Sequence, residues 1–249
     1  GTPLGTAFGD RGKRMAEEKA QEGNTTYFSE FSSDELDAKL KRKDEDGRTL
    51  LHIAAAAGRT ELVELFLAHP TGRAAVNKGD EEDWTPLHSA SSCGHTAVVA
   101  SLLAAGADPN AANSGGQSPI HYAASKGHLD CIRKLVAAGC DPDAVDRTKS
   151  TPLHRAASQG RANVIVSMTD GSVLGPDGSG TRCAIDARNA TGQMPLLVAC
   201  EAGQDEAALA LARAGANMRV EDCEGANVAT LAPKLVSALR AIGQGDEGF

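Results

Sequence analysis

The apolar positions of this chain recur in one order that is repeated along its length. The pattern Thr/Ser-Pro-Leu/Ile-His-x-Ala begins at Thr85, Ser118 and Thr151, with steps of 33 residues between them. A related copy begins at Thr49, and a weaker one begins at Met194. A constant period of this length is typical of stacked repeats, in which each unit buries its apolar face against its neighbours.

Each copy of the pattern predicts a pair of helices. Threonine is a good N-cap, proline fits the first helical position, and the leucine and alanines supply an apolar face. The repeated histidine is expected to hydrogen-bond the threonine hydroxyl or the backbone of a neighbouring repeat. Left-handed glycines are expected to end the first helices, at Gly58, Gly94, Gly127, Gly160 and Gly203. A second apolar helix such as 62–67 should follow and break at a later glycine, before an extended finger such as 107–111.

The repeats divide the chain into one predicted array with two ends. Five repeats are expected to start at 46, 83, 116, 149 and 192, between an N-terminal capping repeat at 16–45 and a C-terminal cap at 225–240. Residues 1–15 are expected to be a flexible tail, and residues 241–249 to fray. The step from Thr151 to Met194 is ten residues longer than the period, and the excess is rich in Gly, Ser, Pro and Asp. We therefore expect a mobile surface loop at 169–180.

Composition narrows the class of protein further. The net charge of −8 argues against general affinity for nucleic acid, and no apolar run is long enough to span a bilayer. The six cysteines show no CxxC pair, and several occupy small-residue helix positions. This pattern predicts reduced, buried thiols and a cytoplasmic or nuclear protein.

The residues that could carry chemistry have a structural interpretation. His88, His121 and His154 occupy the same position of successive repeats, whereas a catalytic histidine needs a unique setting. The histidines and cysteines lack zinc spacing, and the glycine-rich segment 175–180 lacks the lysine of a phosphate loop. The sequence therefore predicts no enzyme activity, no cofactor and no metal site.

Exposed charged and aromatic residues beside the motifs are the candidates for binding a partner. They are expected on the finger tips and first helices, acidic in the first two repeats and basic in the fourth. Solubility alone would explain such charges, but tryptophan and tyrosine favour binding hot spots. The candidates are Asp44, Asp46, Arg48, Glu81, Asp83, Trp84, Tyr122, Lys126, Arg147, Lys149 and Arg155.

The Thr-Pro-Leu-His-x-Ala core resembles the ankyrin repeat, and the resemblance implies an all-α ankyrin-repeat solenoid with β-hairpin fingers. Three features resemble one family of ankyrin-repeat proteins more specifically. They are Trp84 before the second motif, His-Tyr-Ala-Ala-Ser-Lys at 121–126, and His-Arg-Ala-Ala at 154–157. In this order they are similar to the gankyrin family, the proteasome non-ATPase regulatory subunit 10 proteins, and particularly to plant and algal forms. The likeness covers about Ala16 to Leu239.

The resemblance implies a non-catalytic proteasome assembly chaperone. Such a protein binds the C-terminal domain of one ATPase subunit of the regulatory particle through its concave face and blocks premature docking on the core particle. It would be a monomer apart from this partner, and would bind neither nucleic acid nor membrane. The segment 169–180 departs from the usual pattern of the family. An adaptor or scaffold subunit of a cytoskeletal or organellar complex is therefore the alternative.

Overall fold

The protein folds into short antiparallel helices joined by tight turns. The structure, a computed structural model, describes residues 4–243 and the side chains of residues 12–242. The first nine helices are α1 (Leu4–Glu22), α2 (Thr25–Ser29), α3 (Ser33–Leu40), α4 (Leu50–Ala56), α5 (Thr60–Ala68), α6 (Pro70–Ala74), α7 (Pro86–Cys93), α8 (Thr96–Ala104) and α9 (Pro119–Lys126). They are followed by α10 (Leu129–Ala137), α11 (Pro152–Ser158), α12 (Ala162–Thr169), β1 (Val173–Leu174), β2 (Gly180–Thr181), α13 (Pro195–Glu201), α14 (Asp205–Arg213), α15 (Val228–Leu231) and α16 (Val236–Gly243).

The helices form two compact units. Unit 1 is Gly1–Ser114 and unit 2 is Gly115–Phe249. In unit 1, α4 packs against both α1 and α7, and α5 packs against α8. In unit 2, α11 packs against both α9 and α13, and α14 packs against α12, α13 and α16. Within each unit, neighbouring helix pairs therefore bury their apolar sides against one another.

The first helices of the central repeats begin and end at the residues that the sequence predicts. The hydroxyls of Thr85 and Thr151 accept the amides of the histidines three residues later, at 3.4 Å in each case. A proline follows each of these caps at the first helical position. Helices α7 and α9 end at Gly94 and Gly127, whose φ values of 78° and 86° lie in the left-handed region that glycine tolerates.

The core of each unit is made of small and aliphatic side chains. The paired alanines of α4, α9 and α11 are fully buried, which lets neighbouring first helices approach closely. The second helices contribute the larger side chains, such as Phe66 of α5 and Ile132 of α10, both with no exposed surface. Packing of this kind explains why the chain needs only 3% aromatic residues.

The repeated histidine joins one repeat to the next. In His154, Nδ1 accepts the amide N–H of Thr151 at 3.1 Å, so the proton of the neutral ring lies on Nε2. That nitrogen donates to the carbonyl of Gln193, at 3.0 Å, at the start of the following repeat. His121 makes the same pair of bonds, to the amide of Ser118 and the carbonyl of Ser150, each at 3.1 Å. The expected histidine hydrogen bonds are thus confirmed, and one ring makes both.

The fingers are closed by aspartate or asparagine side chains. In each turn, one side-chain oxygen accepts the amides two and four residues later, as Asp80 does from Glu82 and Trp84, both at 2.9 Å. Equivalent pairs are made by Asp44, Asp146, Asn189 and Asp222. Neighbouring turns are linked through the backbone, as from the amide of Glu81 to the carbonyl of Asp46 at 3.1 Å.

The two arms of a finger are also joined by a backbone hydrogen bond at the turn. The amide of Asp80 donates to the carbonyl of Trp84 at 3.0 Å, and the amide of Asp146 donates to the carbonyl of Ser150 at 3.1 Å. Within residues 4–243, strands are assigned only as β1 and β2, which lie outside the fingers. The β-hairpin fingers that the family resemblance implies are therefore short turns without an extended ladder.

The N-terminal end differs from the prediction. Helix α1 begins at Leu4, so residues 4–15 are helical and not the expected flexible tail at 1–15. Ala16 and Ala20 are buried in this helix, which packs against α4. Once these residues dock, each further residue of the helix adds one hydrogen bond at little entropic cost. Residues 1–3 lie outside the described part of the chain.

The step from Thr49 to Thr85 is 36 residues, so extra residues occur here as well as at 169–180, and both segments form regular elements. The extra residues near Pro70 form α6, which packs against α3 and α5. In the expected mobile loop at 169–180, β1 pairs antiparallel with β2, with Val173 opposite Thr181. Val173 is only 2% exposed, and β1 contacts α10, so the hairpin packs against the second helix of the preceding repeat through a buried apolar side chain. Of the expected frayed end at 241–249, residues 241–243 belong to α16, and the rest lie outside the described residues.

The buried histidines predict a loss of stability in mild acid. Burial lowers the pKa of His52, His121 and His154 below the ordinary value of 6.5. As the pH falls below about 6.5, the unfolded chain binds protons that the folded chain does not, so the free energy of unfolding decreases. Each histidine contributes a slope of at most about 1.4 kcal/mol per pH unit between its unfolded and folded pKa values.

Urea unfolding at several pH values between about 7 and 5 measures this slope. His154→Gln removes one of the titrations and should lower the slope, whatever it does to stability at neutral pH. A free energy of unfolding that is flat across this window would contradict the neutral histidine bridges.

Candidate partner-binding surfaces

The finger tips of unit 1 form an acidic surface. Two neighbouring turns, 44–48 and 80–84, meet through the backbone hydrogen bond from Glu81 to Asp46. We call the exposed acidic residues on these turns the acidic tips, and they are Glu45, Asp46, Glu81, Glu82 and Asp83. Of the predicted acidic candidates, the structure thus brings Asp46, Glu81 and Asp83 together on adjacent turns.

Asp44 and Arg48 have a structural role in this turn. Asp44 Oδ2 lies 2.8 Å from Arg48 Nε, and Arg48 Nη2 lies 3.0 Å from Asp46 Oδ2. Burial opposes ionisation of Asp44, but hydrogen bonds from the amide and guanidinium of Arg48 outweigh it and lower the pKa of the carboxyl. Asp44 therefore stays charged and closes the turn, which leaves less of it to a partner than the sequence suggests.

Trp84 lies at the base of the second acidic tip. Its indole N–H donates to Ser89 Oγ at 2.9 Å, and its ring centroid is 5.3 Å from that of His88. Its carbonyl lies 2.9 Å from Nε2 of His52, so it also takes part in a histidine bridge. The side chain remains partly exposed beside Asp83. Trp84 therefore stabilises the turn and still offers an aromatic surface to a partner.

The finger of unit 2 at 146–150 carries two exposed cations. Arg147 and Lys149, which we call the basic tip, are both exposed. Arg155, the third predicted basic residue, is instead paired through Nη2 with the buried carboxylate of Asp146. Burial opposes ionisation of Asp146, but hydrogen bonds from Thr148 and Arg155 outweigh it and lower the pKa of this carboxyl. Of the three predicted basic residues, Arg147 and Lys149 are thus exposed, and Arg155 is ion-paired with a buried carboxylate.

Tyr122 and Lys126 lie one turn apart on α9 in unit 2. The Tyr122 hydroxyl donates to Oε1 of Gln117, which holds the half-buried ring in place. Lys126 is exposed at the last position of α9. An aromatic ring and a cation therefore share the exposed side of this first helix, as the sequence predicts.

Two tip residues adopt a backbone conformation that favours glycine. At the equivalent position of four finger turns the chain has Gly47, Gly116, Gly192 and Gly225, all with φ between 76° and 80°. Asp83 and Lys149 stand there in the other two turns, with φ values of 57° and 56°. Aspartate tolerates this region better than most residues, but lysine does not. The side chains of Asp83 and Lys149 are therefore presented at the tips of their turns at a cost in backbone strain that glycine would avoid.

The two units also differ in their total charge. Residues 1–114 carry 18 acidic and 12 basic side chains, whereas residues 115–249 carry 15 and 13. Unit 1 thus holds most of the net charge of −8, and unit 2 is close to neutral. The basic character of unit 2 is local, at Arg147, Lys149 and Lys126.

A cleft in unit 1 was missed by the sequence reasoning. It lies between α1 and α4 and is open at the surface, with a volume of about 490 Å³. Its α1 side is formed by residues spaced three or four apart, Arg14, Glu17, Glu18 and Gln21. This helical spacing was a signal in the sequence, but the predicted capping repeat began only at residue 16.

Four of the six cysteines are buried as predicted, whereas Cys93 and Cys223 are exposed. The six cysteines are free thiols, and burial raises the pKa of Cys183 to about 12 and of Cys200 to about 11. Among the described residues, no group of three or more His, Cys, Asp or Glu side chains is placed to hold a metal ion. The helices in this part of the chain are also too short or too polar to cross a membrane.

Family models agree with this geometry. Residues 19–113 match a model described as ankyrin repeats (3 copies), and residues 102–156 match one described as ankyrin repeats (many copies). The chain is an ankyrin-repeat protein. No curated protein matches the sequence. The predicted all-α ankyrin fold is confirmed.

Ankyrin repeats are protein–protein interaction modules, and the exposed tips and first helices of each unit fit that role. In a repeat fold, residues of the same type recur at the stacking positions of every repeat, whereas the residues at the exposed positions differ from turn to turn. Here those positions carry acids in unit 1, and two cations with a tyrosine and a lysine in unit 2.

The variant Lys149→Gly should change stability and partner binding in opposite directions, so it distinguishes a role of Lys149 in folding from a role in binding. Removing the left-handed strain should stabilise unit 2, by at most about 1 kcal/mol after the entropic cost of glycine. The same change should weaken binding of a protein partner, because an exposed cation is lost. Thermal unfolding and partner capture measure the two effects. If the variant were more stable and bound the partner as well as the parent chain does, Lys149 would not be part of the binding surface.

Gly116→Lys is the matched reverse change in another finger turn of unit 2. A Cβ at this position would lie 2.9 Å from the amide nitrogen of Arg147, and the φ of 76° is unfavourable for lysine. We expect this variant to be less stable than the parent chain by thermal unfolding.

Proposed function

We propose that this protein is a non-catalytic assembly chaperone of the proteasome regulatory particle, which holds the C-terminal domain of one ATPase subunit. The observation that carries the binding role is the pair of tips at Asp83 and Lys149, where charged side chains replace the glycine of the other turns. The narrower assignment is supported by the succession of Trp84, the 121–126 segment and the 154–157 segment.

The charges on the two units suit a partner with complementary patches. Exposed acids such as Glu81 and Asp83 would pair with cations of the partner, and Arg147 and Lys149 would pair with its carboxylates. Exposed ion pairs of this kind add little affinity, but they speed the encounter and reject wrongly placed partners. Trp84 and Tyr122 would supply the apolar contacts that dominate the binding free energy.

In this role the protein needs no reaction chemistry. A bound chaperone would cover the surface by which the ATPase subunit approaches the core particle, and it would leave when assembly is complete. We propose that the protein acts as a monomer, in the cytoplasm or the nucleus, and binds no nucleic acid.

A second candidate is an adaptor subunit of another complex, cytoskeletal or organellar. The hairpin of β1 and β2 favours it, because this insertion departs from the usual pattern of the gankyrin family. Leu174 on β1 is 52% exposed, so the hairpin offers an apolar contact in addition to the tips. Stoichiometric retention of the protein in such a complex would support this role over the first.

Affinity capture from the source cell, followed by mass spectrometry, tests the proposal. We expect proteasome ATPase subunits among the retained proteins. Changing Arg147 and Lys149 together to glutamate should reduce that capture severalfold and weaken its dependence on salt, because exposed ion pairs are screened by salt. Arg155 is left unchanged, since its loss would leave the buried carboxylate of Asp146 without its cation.

The control makes the same change of charge elsewhere in unit 2. Arg133 and Lys134 are exposed on the second helix α10, away from the finger turns, and their replacement by glutamate should leave capture intact. Equal losses in both variants would show that only net charge matters. Capture without any proteasome ATPase subunit would reject the proposed chaperone role.

A further inference from the structure

The finger turn at 146–150 presents a hydroxyl group between the two cations of the basic tip. Thr148 is exposed, and so are Arg147 and Lys149 on either side of it. In the whole sequence, Thr148 is the one serine, threonine or tyrosine with a lysine or arginine directly on both sides. One tip of unit 2 therefore combines an accessible hydroxyl with a local positive charge.

Three other finger turns carry an acidic side chain at the position of Thr148. These residues are Asp46, Glu82 and Glu224, each two residues after the aspartate that closes its turn. Their backbone amides donate to the closing carboxylate at 2.9 to 3.0 Å, as in any other turn of this kind. A negative group at this position is therefore compatible with a closed turn.

The Thr148 hydroxyl is one of several groups that close its own turn. It donates to Oδ1 of Asp146 at 2.6 Å and lies 3.0 Å from Ser150 Oγ. The same Oδ1 also accepts the backbone amides of Thr148 and Ser150, at 2.8 and 3.0 Å. The other oxygen of Asp146 is paired with Arg155. These amide bonds and the ion pair do not involve the hydroxyl, so they would remain if it were modified.

We propose that Thr148 is a phosphorylation site, at which a protein kinase that selects basic residues neutralises the basic tip. The kinase would transfer the γ-phosphoryl group of ATP to Thr148 Oγ1. The bond from phosphorus to the bridging oxygen breaks, a bond to Oγ1 forms, ADP leaves and the hydroxyl proton is released. The product carries a charge of about −1.5 to −2 at pH 7, which offsets Arg147 and Lys149.

Phosphorylation would change what this tip can bind. The unmodified turn offers Arg147 and Lys149 to the carboxylates of a partner. A phosphate on Thr148 would itself pair with these cations, through charge-assisted hydrogen bonds, and leave the tip without positive charge. This effect on binding rests on the proposed function, whereas the modification of Thr148 does not.

Incubation of the full-length protein with ATP, Mg²⁺ and a panel of serine/threonine kinases tests the site. Kinases that select arginine or lysine beside their target should add one phosphate, and those that select acidic neighbours should not. Mass spectrometry of peptides should place the phosphate on Thr148, and Thr148→Ala should abolish its incorporation. The inference would be overturned if no basic-directed kinase modified Thr148, or if other hydroxyls were modified equally.

Thr148→Glu tests the effect on binding. The variant should stay folded by thermal unfolding, because acids occupy this position in three other turns, and it should capture proteasome ATPase subunits severalfold less well. Thr191→Glu is the matched control. Thr191 is exposed, and its hydroxyl donates at 2.8 Å to Oδ1 of Asn189, which closes the next turn. Its neighbours Ala190 and Gly192 carry no charge, so this change should leave capture intact.

The two arms of the experiment fail independently. A Thr148→Glu variant that did not fold, or that captured the ATPase subunits as well as the parent chain, would overturn the proposed regulation. Equal losses in Thr148→Glu and Thr191→Glu would do the same, since net charge alone would then explain them. If the parent chain captured no ATPase subunit but Thr148 were phosphorylated, the chaperone role would fail and the modification site would stand.

Discussion

Within each unit, a neutral imidazole joins one repeat to the next, at His52 in unit 1 and at His121 and His154 in unit 2. Its Nδ1 satisfies an amide at the start of its own helix, and its Nε2 donates to a carbonyl 29 to 39 residues later. Leaving either of these buried groups without a partner would cost about 1–3 kcal/mol. The ring therefore fixes the spacing between neighbouring repeats, which apolar packing alone would leave free to slide.

The structure separates the residues that fold the chain from those available for binding. Motif positions are buried and repeated, while the exposed positions of the turns differ in charge from one turn to the next. Trp84 and Asp44 belong to both groups, because each stabilises a turn and also lies at the candidate binding surface. Trp84 has its indole and carbonyl engaged but part of its ring exposed, and Asp44 closes a turn beside exposed acids. Changes at either residue would affect stability and binding together.

Periodicity was enough to predict the helix pairs, their caps and the role of the histidines, because each depends on contacts that recur in every repeat. Features that occur once could not be predicted in this way. The pairing of Arg155 with Asp146 depends on the burial of one carboxylate, and the left-handed backbone of Lys149 is clear only when its turn is compared with those that carry glycine. The cleft could not be predicted from periodicity because α1 lies outside the repeat pattern, although the spacing of Glu17 and Gln21 is helical.

The turn aspartates have a consequence for how such a protein changes over time. Because Asp80 and Asp146 hold their turns with a single oxygen each, the exposed side chains that directly follow them, Glu81 and Arg147, take no part in those bonds. Substitutions at these two positions can alter what the protein recognises at a smaller penalty in folding than changes at the left-handed positions 83 and 149. New specificities are therefore accessible by single steps, each through an intermediate that remains folded.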